Sequence, residues 1–563
     1  MLPSRRASAS RRRDRGGPAA LALYALLAFL VFGVGLLTGA GPRLAGTGTD
    51  PQVFVWAFAW WPHAILHGLN PVVTDVVWSP SGVNLAWATM MPGLALAFAP
   101  LTLATSAATA YDVAAVVMPA LAAWTAFLLC RHVTGRFWPS LAGGYLFGFS
   151  SYMLGQQLGH LHMTTVFLVP LVALVVLQYV EDDLDGRGLV LRLGPLLALQ
   201  LLLSTELVFT VTLALAFSLV LGLAVAPSMR RRIVTSVGPI VLSYCVAGIL
   251  ALPFVYYLLS DTNTAAIHAG GEFDTDLLNF VVPTKLTLAG IGWADAISRH
   301  FPGNLSERDG YIGLPALVIV ALFARERWRT AVGRFLLVSF AVAVVVSLGF
   351  FLSVDGHRHG QLPWVHLGYR PLFNDILPVR IALYVSLAVA VMVAIWASRR
   401  GGVARWLLPL LAVLAIAPRP FGHPFDEAYA VPRFFTDASY RTCLADGETI
   451  LPLPVSTGGD PDLWQVASGF RFRMAGGYVV ANPPAAFLTP TKIAWVALGA
   501  RVPPADVGRL RTYIRDKGVT TVVVDAGQAH FWSAALDRIA TPEPVGGVVL
   551  YRIAPAAGVC PAR

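Results

Sequence analysis

The stretch "PAALALYALLAFLVFGVGLLTGAGPRLAGTGTDPQVFVWAFAWWPHAI", residues 18–65, joins a long apolar run to a lone acid and an aromatic segment. The run 18–40 is long enough to cross a hydrocarbon core of roughly 30 Å as one helix. An arginine-rich segment precedes it, which indicates a cytoplasmic N-terminus under the positive-inside rule. We therefore predict an uncut membrane anchor, with Asp50 on the outer face. Cleavage as a signal peptide near Gly39 is the alternative.

The composition of the whole chain indicates a membrane protein. Its 563 residues are 56% hydrophobic and 13% charged, with a mean hydropathy of +0.65. A soluble globular chain carries about 25% charged residues. The net charge of +10 would also suit a nucleic-acid-binding protein. However, the basic residues fall in short clusters between apolar runs, as in cytoplasmic loops. We predict a polytopic protein with no nucleic-acid partner.

The arginine clusters decide how often the chain crosses the membrane. If all of them are cytoplasmic, residues 93–108 form a juxtamembrane or re-entrant helix, and residues 193–226 cross twice through a hairpin at Ser204–Glu206. We then expect outer loops at 41–92, 258–310 and 353–376. The prediction is about eleven transmembrane helices, at 18–40, 112–131, 138–154, 162–180, 188–204, 207–226, 233–257, 311–324, 333–352, 377–397 and 403–418.

The sequence changes character after residue 418. The stretches "TILPLPV", "VTTVVVDAG" and "GGVVLYRI" are strand-like, and "PADVGRLRTYIRDKG" is typical of a helix. We predict a cytoplasmic N-terminus at 1–17, a transmembrane domain at 18–418 and an extracytoplasmic α/β domain at 419–563. Cys443 and Cys560 can pair if this last domain is exported.

Asp50 has a simple local interpretation. Aspartate before proline is typical of a helix N-cap with proline in the first turn, and a capping carboxylate needs no further role. The aromatic side chains that follow favour the lipid headgroup region, so we expect this helix to lie in the membrane interface.

Four stretches carry a resemblance to a known superfamily. They are "TDPQVFVWAFAWWPHAI" (49–65), "LAGGYLFGFSSYMLGQQLGHLHM" (141–163), "GYIGLP" (310–315) and "LPVRIALY" (377–384). With the acid after the first span and the outer C-terminal domain, they resemble the GT-C membrane glycosyltransferases. The likeness is to bacterial YfhO-like and polyprenyl-phosphate-dependent mannosyl- or arabinosyltransferase-like proteins. It implies a GT-C-like α-helical membrane fold in a bacterial plasma membrane.

The resemblance implies that Asp50 is the general base that takes a proton from the acceptor hydroxyl. The donor would be a polyprenyl-phosphate sugar, because nucleotide sugars stay in the cytoplasm. Its departing phosphate needs positive charge, for which the outer-side candidates are Arg380, Arg308, His160 and His162. Each has a simpler role open to it. Arg380 can anchor a span at the interface, Arg308 can pair with Glu307 and Asp309 in water, and the histidines can be ordinary polar cap residues.

Further residues are candidates for the acceptor cavity. Glu206 lies at the hairpin tip, where a carboxylate is costly unless it faces water or a partner. It can equally be an exposed turn residue. The full set of cavity candidates is Glu206, Trp56, Trp60, Trp61 and Tyr384.

A metal cofactor is left open by the sequence. Some GT-C proteins bind a divalent metal through a second acidic motif after the third span, but here that loop reads "GQQLGHLHM" and has no acid. Asp274 and Asp276 in "GGEFDTD" are weak candidates for Mg²⁺ or Mn²⁺. Acids in an outer loop are more often simply solvated.

Three functions fit these features. The first is transfer of a hexose or pentose to an envelope glycan, lipid or protein. The second is a lipid or sugar transporter or flippase, which would favour internal repeats and charged or broken helices at mid-membrane. The third is a non-catalytic scaffold for envelope assembly. Nucleotide-binding glycine loops, nucleophile elbows and zinc motifs are absent from the sequence.

Overall fold

The computed structural model describes residues 16–260, 268–419, 421–454, 461–479, 487, 507–554 and 560. Within this part, seven helices are long and apolar enough to cross a membrane. The chain is therefore a multi-pass membrane protein. The seven helices are Gly16–Thr38, Ala107–Thr134, Leu161–Val180, Gly186–Leu203, Thr205–Val225, Pro227–Leu250 and Pro378–Ala397.

Shorter helices occupy the other predicted spans. Phe137–Gly148, Leu314–Arg327, Ala331–Ser347 and Ala404–Ala415 have 12 to 17 residues each. Because a perpendicular crossing needs about 20 residues, the number of eleven crossings stays a prediction.

Two regions set the predicted crossing pattern. In the first, where the sequence predicts one helix, residues 92–104 form two helices, Pro92–Ala97 and Ala99–Ala104, each only six residues long and so too short to cross by itself. In the second region only Ser204 separates two long helices, and its hydroxyl accepts a hydrogen bond from Leu207 N. Ser204 therefore ends one helix and caps the next, and the outer hairpin stays a prediction.

The aromatic helix after the first span, Asp50–Leu66, lies inside the protein. Trp56, Phe58 and Trp60 are almost fully buried. The helix packs against Pro92–Ala97, Ala107–Thr134 and Pro461–Ala467. The aromatic rings therefore contact other parts of the protein, among them Phe470 and Gln465 of the C-terminal domain, and the position of this helix in the membrane interface stays a prediction.

The C-terminal region contains a mixed five-stranded sheet, in agreement with the predicted α/β domain. Thr449–Leu453 pairs in parallel with Arg473–Met474 at the edge and with Thr521–Asp525, which is the central strand. Val548–Arg552 and Pro542–Val545 complete the sheet in antiparallel pairing. The helices Pro461–Ala467 and Val507–Asp516 pack beside it, and a disulfide joins Cys443 to Cys560.

Short strands tie the first outer loop to the C-terminal region and form hairpins within outer loops. Arg43–Ala45 pairs antiparallel with Asp426–Ala428, and the Arg43 guanidinium binds Asp426. Two small hairpins pair Val73–Thr74 with Val83–Asn84 and Phe351–Val354 with His357–Gln361. The pairing of Arg43–Ala45 thereby brings the start of the C-terminal region close to the beginning of the Asp50 helix.

Candidate active site

A close backbone contact brings the Asp50 helix to the loop after the third predicted span. Thr47 N donates to Leu158 O at 2.8 Å. Gly159 has a φ of +149°, and a Cβ there would lie 3.2 Å from Thr47 O and 3.3 Å from Pro51 Cδ. Glycine therefore allows the contact that places His160 beside Asp50.

Asp50 is held through both of its carboxylate oxygens. Tyr478 Oη donates to Oδ1 at 3.1 Å, and His160 Nε2 lies 3.3 Å from Oδ2. Burial opposes ionisation, but the hydrogen bonds and the charge of His160 and the bond from Tyr478 outweigh it, so the pKa of Asp50 is lowered. The side chain is still 39% exposed, so an ionised carboxylate is within reach of a ligand.

The predicted capping role of Asp50 is wrong. The helix begins at Asp50 itself, and the residue before it, Thr49, makes no side-chain cap. The carboxylate points away from the helix end, toward His160 and Tyr478.

His160 lies between two carboxylates. Its Nδ1 lies 3.2 Å from Glu307 Oε1 and 2.9 Å from Gln156 Oε1, while Nε2 faces Asp50. Both ring nitrogens of His160 therefore face acceptor oxygens.

Arg380 continues this network into the membrane domain. Its Nη2 lies 2.5 Å and its Nε 3.1 Å from Glu307 Oε1, and Nη1 donates to Glu206 Oε2 at 2.6 Å. The Glu307 side chain is 1% exposed. Burial raises the pKa of Glu307, but Arg380 and His160 outweigh it and lower that pKa overall. The structure thus brings together Asp50, His160, Glu206 and Arg380, as the predicted site requires.

A second buried acid, Asp309, shares Gln156 as a hydrogen-bond partner with Glu307. Gln156 Nε2 donates to Asp309 Oδ2 at 2.7 Å. Burial and the negative charge of Glu307 raise the pKa of Asp309 well above its ordinary value. Within the described residues, Asp309 Oδ1 and Glu206 Oε1 are buried without a hydrogen-bond partner. These two carboxylate oxygens can therefore accept further hydrogen bonds.

Two more predicted residues border the network. The His162 ring is centred 6.2 Å from that of His160 and 5.7 Å from that of Phe54. The Tyr384 hydroxyl donates to Thr210 Oγ1 at 3.0 Å. Both are neighbours of the charged groups rather than contacts of Asp50.

Arg308 lies away from the site. Its guanidinium donates to the carbonyl oxygens of Arg299, Phe301 and Gly303 at 2.9 to 3.1 Å. The expected pairing with Glu307 and Asp309 is wrong, because both acids point into the protein. Arg308 instead braces its own loop through these three carbonyl contacts.

The three tryptophans do not share one role. Trp56 Nε1 donates to Gln465 Oε1 at 2.7 Å, so this ring joins the Asp50 helix to the C-terminal domain. Trp60 stacks on Trp56 and borders a groove of about 630 Å³ between the first outer loop and the C-terminal domain. Trp61 is 5% exposed and belongs to the hydrophobic core.

Asp274 and Asp276 bind a hairpin. Asp274 accepts from the backbone N–H groups of Phe350 and Phe351 at 3.0 and 2.9 Å, and Asp276 from those of Asp355 and Gly356 at 3.1 and 2.8 Å. Their carboxylates are thus used as loop anchors.

The residues around Asp50 do not form a single metal-ligand set. Asp50 and Glu307 face opposite nitrogens of His160, so the imidazole separates them. Within the described ranges, only His132, Glu181 and Asp183 bring three such ligand atoms within 4.8 Å of one another, and Asp50 is not one of them.

Four residues of the network were not singled out from the sequence as site residues: Gln156, Glu307, Asp309 and Tyr478. The alternation Glu307–Arg308–Asp309 was the available signal for two of them. Tyr478 lies in the C-terminal domain, and nothing in its local sequence points to Asp50.

A family model described as a domain of unknown function, DUF6311, matches residues 21–418. The chain belongs to this family. Asp50, His160, Glu307 and Arg380 all lie within the DUF6311 region, whereas Tyr478 lies outside it. No curated protein shows a significant match to this DUF6311 chain.

Two solved structures resemble the DUF6311 chain along nearly its whole length. One is the oligosaccharyltransferase AglB from Archaeoglobus fulgidus in complex with an inhibitory peptide and a dolichol-phosphate. It aligns with a TM-score of 0.50 and 11% identity, over 96% of this chain and 74% of AglB. The other is the arabinofuranosyltransferase AftD from Mycobacteria, with a TM-score of 0.52 and 15% identity, over 97% of this chain and 40% of AftD.

At these identities the likeness concerns the fold. The DUF6311 chain has the fold of GT-C glycosyltransferases, which confirms the predicted fold class. The narrower likeness to YfhO-like proteins stays a prediction.

Proposed function

We propose that this protein is a membrane glycosyltransferase that moves a sugar from a polyprenyl-phosphate donor to an acceptor on the outer face of the membrane. One observation carries the proposal: the ionised, partly exposed Asp50 is held between His160 and Tyr478 where the outer loops meet the C-terminal domain. The GT-C fold supports it, since AglB was solved with a dolichol-phosphate and AftD transfers arabinofuranose by name. The proposal places the N-terminus in the cytoplasm and residues 419–563 outside.

The proposed reaction is a direct substitution at the anomeric carbon of the donor sugar. The acceptor hydroxyl oxygen forms a bond to this carbon while the bond from carbon to phosphate oxygen breaks. The leaving lipid phosphate takes the electron pair, and the acceptor proton passes to Asp50. A carboxylate aligned for this transfer contributes roughly 10²- to 10⁴-fold to the rate.

His160 and Arg380 are the proposed contacts for the departing phosphate. Both act on the Asp50 carboxylate, so both lie near the reacting groups. In the structure Arg380 is occupied by Glu307 and Glu206, and a phosphate oxygen would take the place of one carboxylate oxygen. Such an exchange keeps the buried guanidinium paired at every stage.

The groove beside Trp60 is the proposed approach for the acceptor. Trp60 lies ten residues after Asp50 on one helix, which corresponds to roughly 15 Å. Asp75 and Arg473 line the groove together with Phe470. Ionic and aromatic side chains together suit a hydroxyl-rich acceptor.

The position of the charges favours an enzyme over a flippase. Glu206 lies in the first turn of Thr205–Val225, and Arg380 lies at the start of Pro378–Ala397. The charged network is thus at helix ends, whereas a transport pathway would favour charges near the midplane.

The test uses the full-length protein in membrane vesicles with radiolabelled hexose and pentose on polyprenyl phosphate. We expect Asp50→Asn to reduce transfer at least about 100-fold, because the amide cannot accept the proton. Asp355→Asn is the matched control, since Asp355 is likewise a partly exposed outer-loop acid beside a histidine, His300, and lies outside the proposed site. Wild-type transfer by the Asp50→Asn variant would refute Asp50 as the base.

A further inference from the structure

The C-terminal domain is hydrogen-bonded to the first outer loop along the backbone. Met474 N donates to Val76 O, Ser79 N to Met474 O and Trp78 N to Gly476 O, at 2.8 to 2.9 Å. Gly477 has a φ of +148°, and a Cβ there would lie 3.3 Å from Val77 Cβ. The loop therefore covers the edge of the sheet beside Arg473–Met474.

A buried glutamine fastens the same junction to the Asp50 helix. Gln465 Oε1 accepts from Trp56 Nε1 at 2.7 Å, and its Nε2 donates to Val76 O and Phe472 O at 2.9 and 3.0 Å. Gln465 is fully buried, so these bonds do not exchange with water. Two sets of contacts, the backbone bonds to the first outer loop and the bonds of Gln465, thus fix the C-terminal domain relative to the Asp50 helix.

This junction places Tyr478 beside Asp50. Its hydroxyl donates to Asp50 Oδ1, whereas His160 faces Oδ2. Burial, followed by the negative charge of Asp50, raises the pKa of Tyr478 to about 12, so the phenol keeps its proton as a donor. The carboxylate torsion of aspartate is broad when it is free. A donor on each oxygen therefore fixes the plane of the carboxylate.

We propose that Tyr478 is a positioning residue that orients the Asp50 carboxylate for proton transfer, which makes the C-terminal domain part of the active site. This inference rests on the proposed function. An ionised carboxylate offers about four lone-pair sites, of which Tyr478 and His160 use two. The acceptor hydroxyl is then confined to the remaining directions, between the Asp50 helix and the C-terminal domain.

The test compares Tyr478→Phe with Tyr513→Phe in the full-length protein. Tyr513 is the matched control, because its hydroxyl donates to Ala475 O at 2.7 Å, beside the same strand and away from Asp50. For Tyr478→Phe we expect kcat to fall about tenfold with the donor KM unchanged, as one charge-assisted hydrogen bond is lost. For Tyr513→Phe we expect kcat to stay within twofold of wild type by the same estimate, since it leaves Asp50 untouched.

The pH profile of kcat/KM gives a second readout, which would not change if Tyr478 had only a structural role. The groups that act on Asp50 are His160, Tyr478 and Arg380, and Tyr111 also lies within reach of its charge. The bond from Tyr478 favours the ionised carboxylate, so its loss should move the acid limb of kcat/KM to higher pH. Tyr513→Phe should leave this limb in place.

The outcomes separate this inference from the proposed function. Full activity and an unmoved acid limb in Tyr478→Phe, with Asp50→Asn inactive, would overturn the inference alone. An equal loss in both tyrosine variants would also overturn it, because it would indicate damage to the domain. Full activity of Asp50→Asn would overturn both.

Discussion

Two charged clusters lie at opposite ends of the same pair of helices. Glu307 and Arg380 lie where Leu314–Arg327 and Pro378–Ala397 begin, and Glu326 and Arg399 lie where these helices end. At the first end one arginine is shared by two carboxylates, and at the second end Glu326 is shared by Arg399 and Arg405. The ratio of arginines to glutamates is therefore reversed between the two clusters.

Their exposure differs. The Glu307 side chain is 1% exposed, whereas Glu326 is 27% and Arg399 is 46% exposed. Water can solvate the second cluster when a partner is lost, but the first has only its own members to satisfy each charge. A buried cluster of this kind is costly to maintain, which is consistent with a role beyond stability.

The largest effect is expected from Arg380→Met. Removing the guanidinium leaves Glu206 and Glu307 buried without their cation, so we expect a loss of about 3–5 kcal/mol in the free energy of unfolding. Denaturant unfolding in detergent measures this quantity. A loss below about 1 kcal/mol would show that water already reaches this cluster.

An intermediate effect, dependent on pH, is expected from Asp309→Asn. The pKa of Asp309 is raised in the folded protein. The folded state therefore keeps a proton that the unfolded chain has released, and the contribution of this group to stability falls as pH rises above its unfolded pKa of about 4. Asparagine has no such proton, so the variant should gain stability relative to wild type between pH 5 and pH 8.

Thermal unfolding of the two proteins at both pH values checks this expectation. Asp295→Asn is a suitable control, since Asp295 pairs with the exposed Arg299 at the surface. If the difference between Asp309→Asn and wild type is the same at pH 5 and pH 8, Asp309 is ionised throughout.

The smallest effect is expected from Arg399→Met. Glu326 keeps Arg405 as a partner and remains partly solvated, so we expect a change below about 1 kcal/mol. The same unfolding measurement applies as for Arg380→Met. A loss as large as that of Arg380→Met would remove the distinction between the two clusters.

Much of the membrane architecture could be predicted from residue patterns. Apolar runs and arginine clusters identified the helix break at Ser204 and a short helical segment after Pro92, and strand-like runs identified the C-terminal sheet. These features are local, since they depend on hydropathy and on charges next to each span. The aromatic helix after Asp50 shows the limit: hydropathy reports an apolar surface but not whether lipid or protein covers it.

The site was only partly predictable for a related reason. Asp50 was a candidate through the GT-C resemblance, and His160, Glu206 and Arg380 were candidates as charged or titratable groups beside apolar runs. Their mutual contacts, the inward direction of Glu307 and the arrival of Tyr478 depend on segments far apart in the chain. No local pattern encodes which of several outer loops will meet.

The amino-acid sequence alone therefore determined that this is a multi-pass membrane protein with an acid after its first span and a mixed α/β domain at its end. The transfer free energy and the charge of each residue are local properties, so both can be evaluated from the sequence without coordinates. Only the tertiary structure decided that Asp50 lies between His160 and Tyr478, and that one buried arginine joins two distant glutamates. Such pairings are chosen by packing, which depends on the whole chain at once.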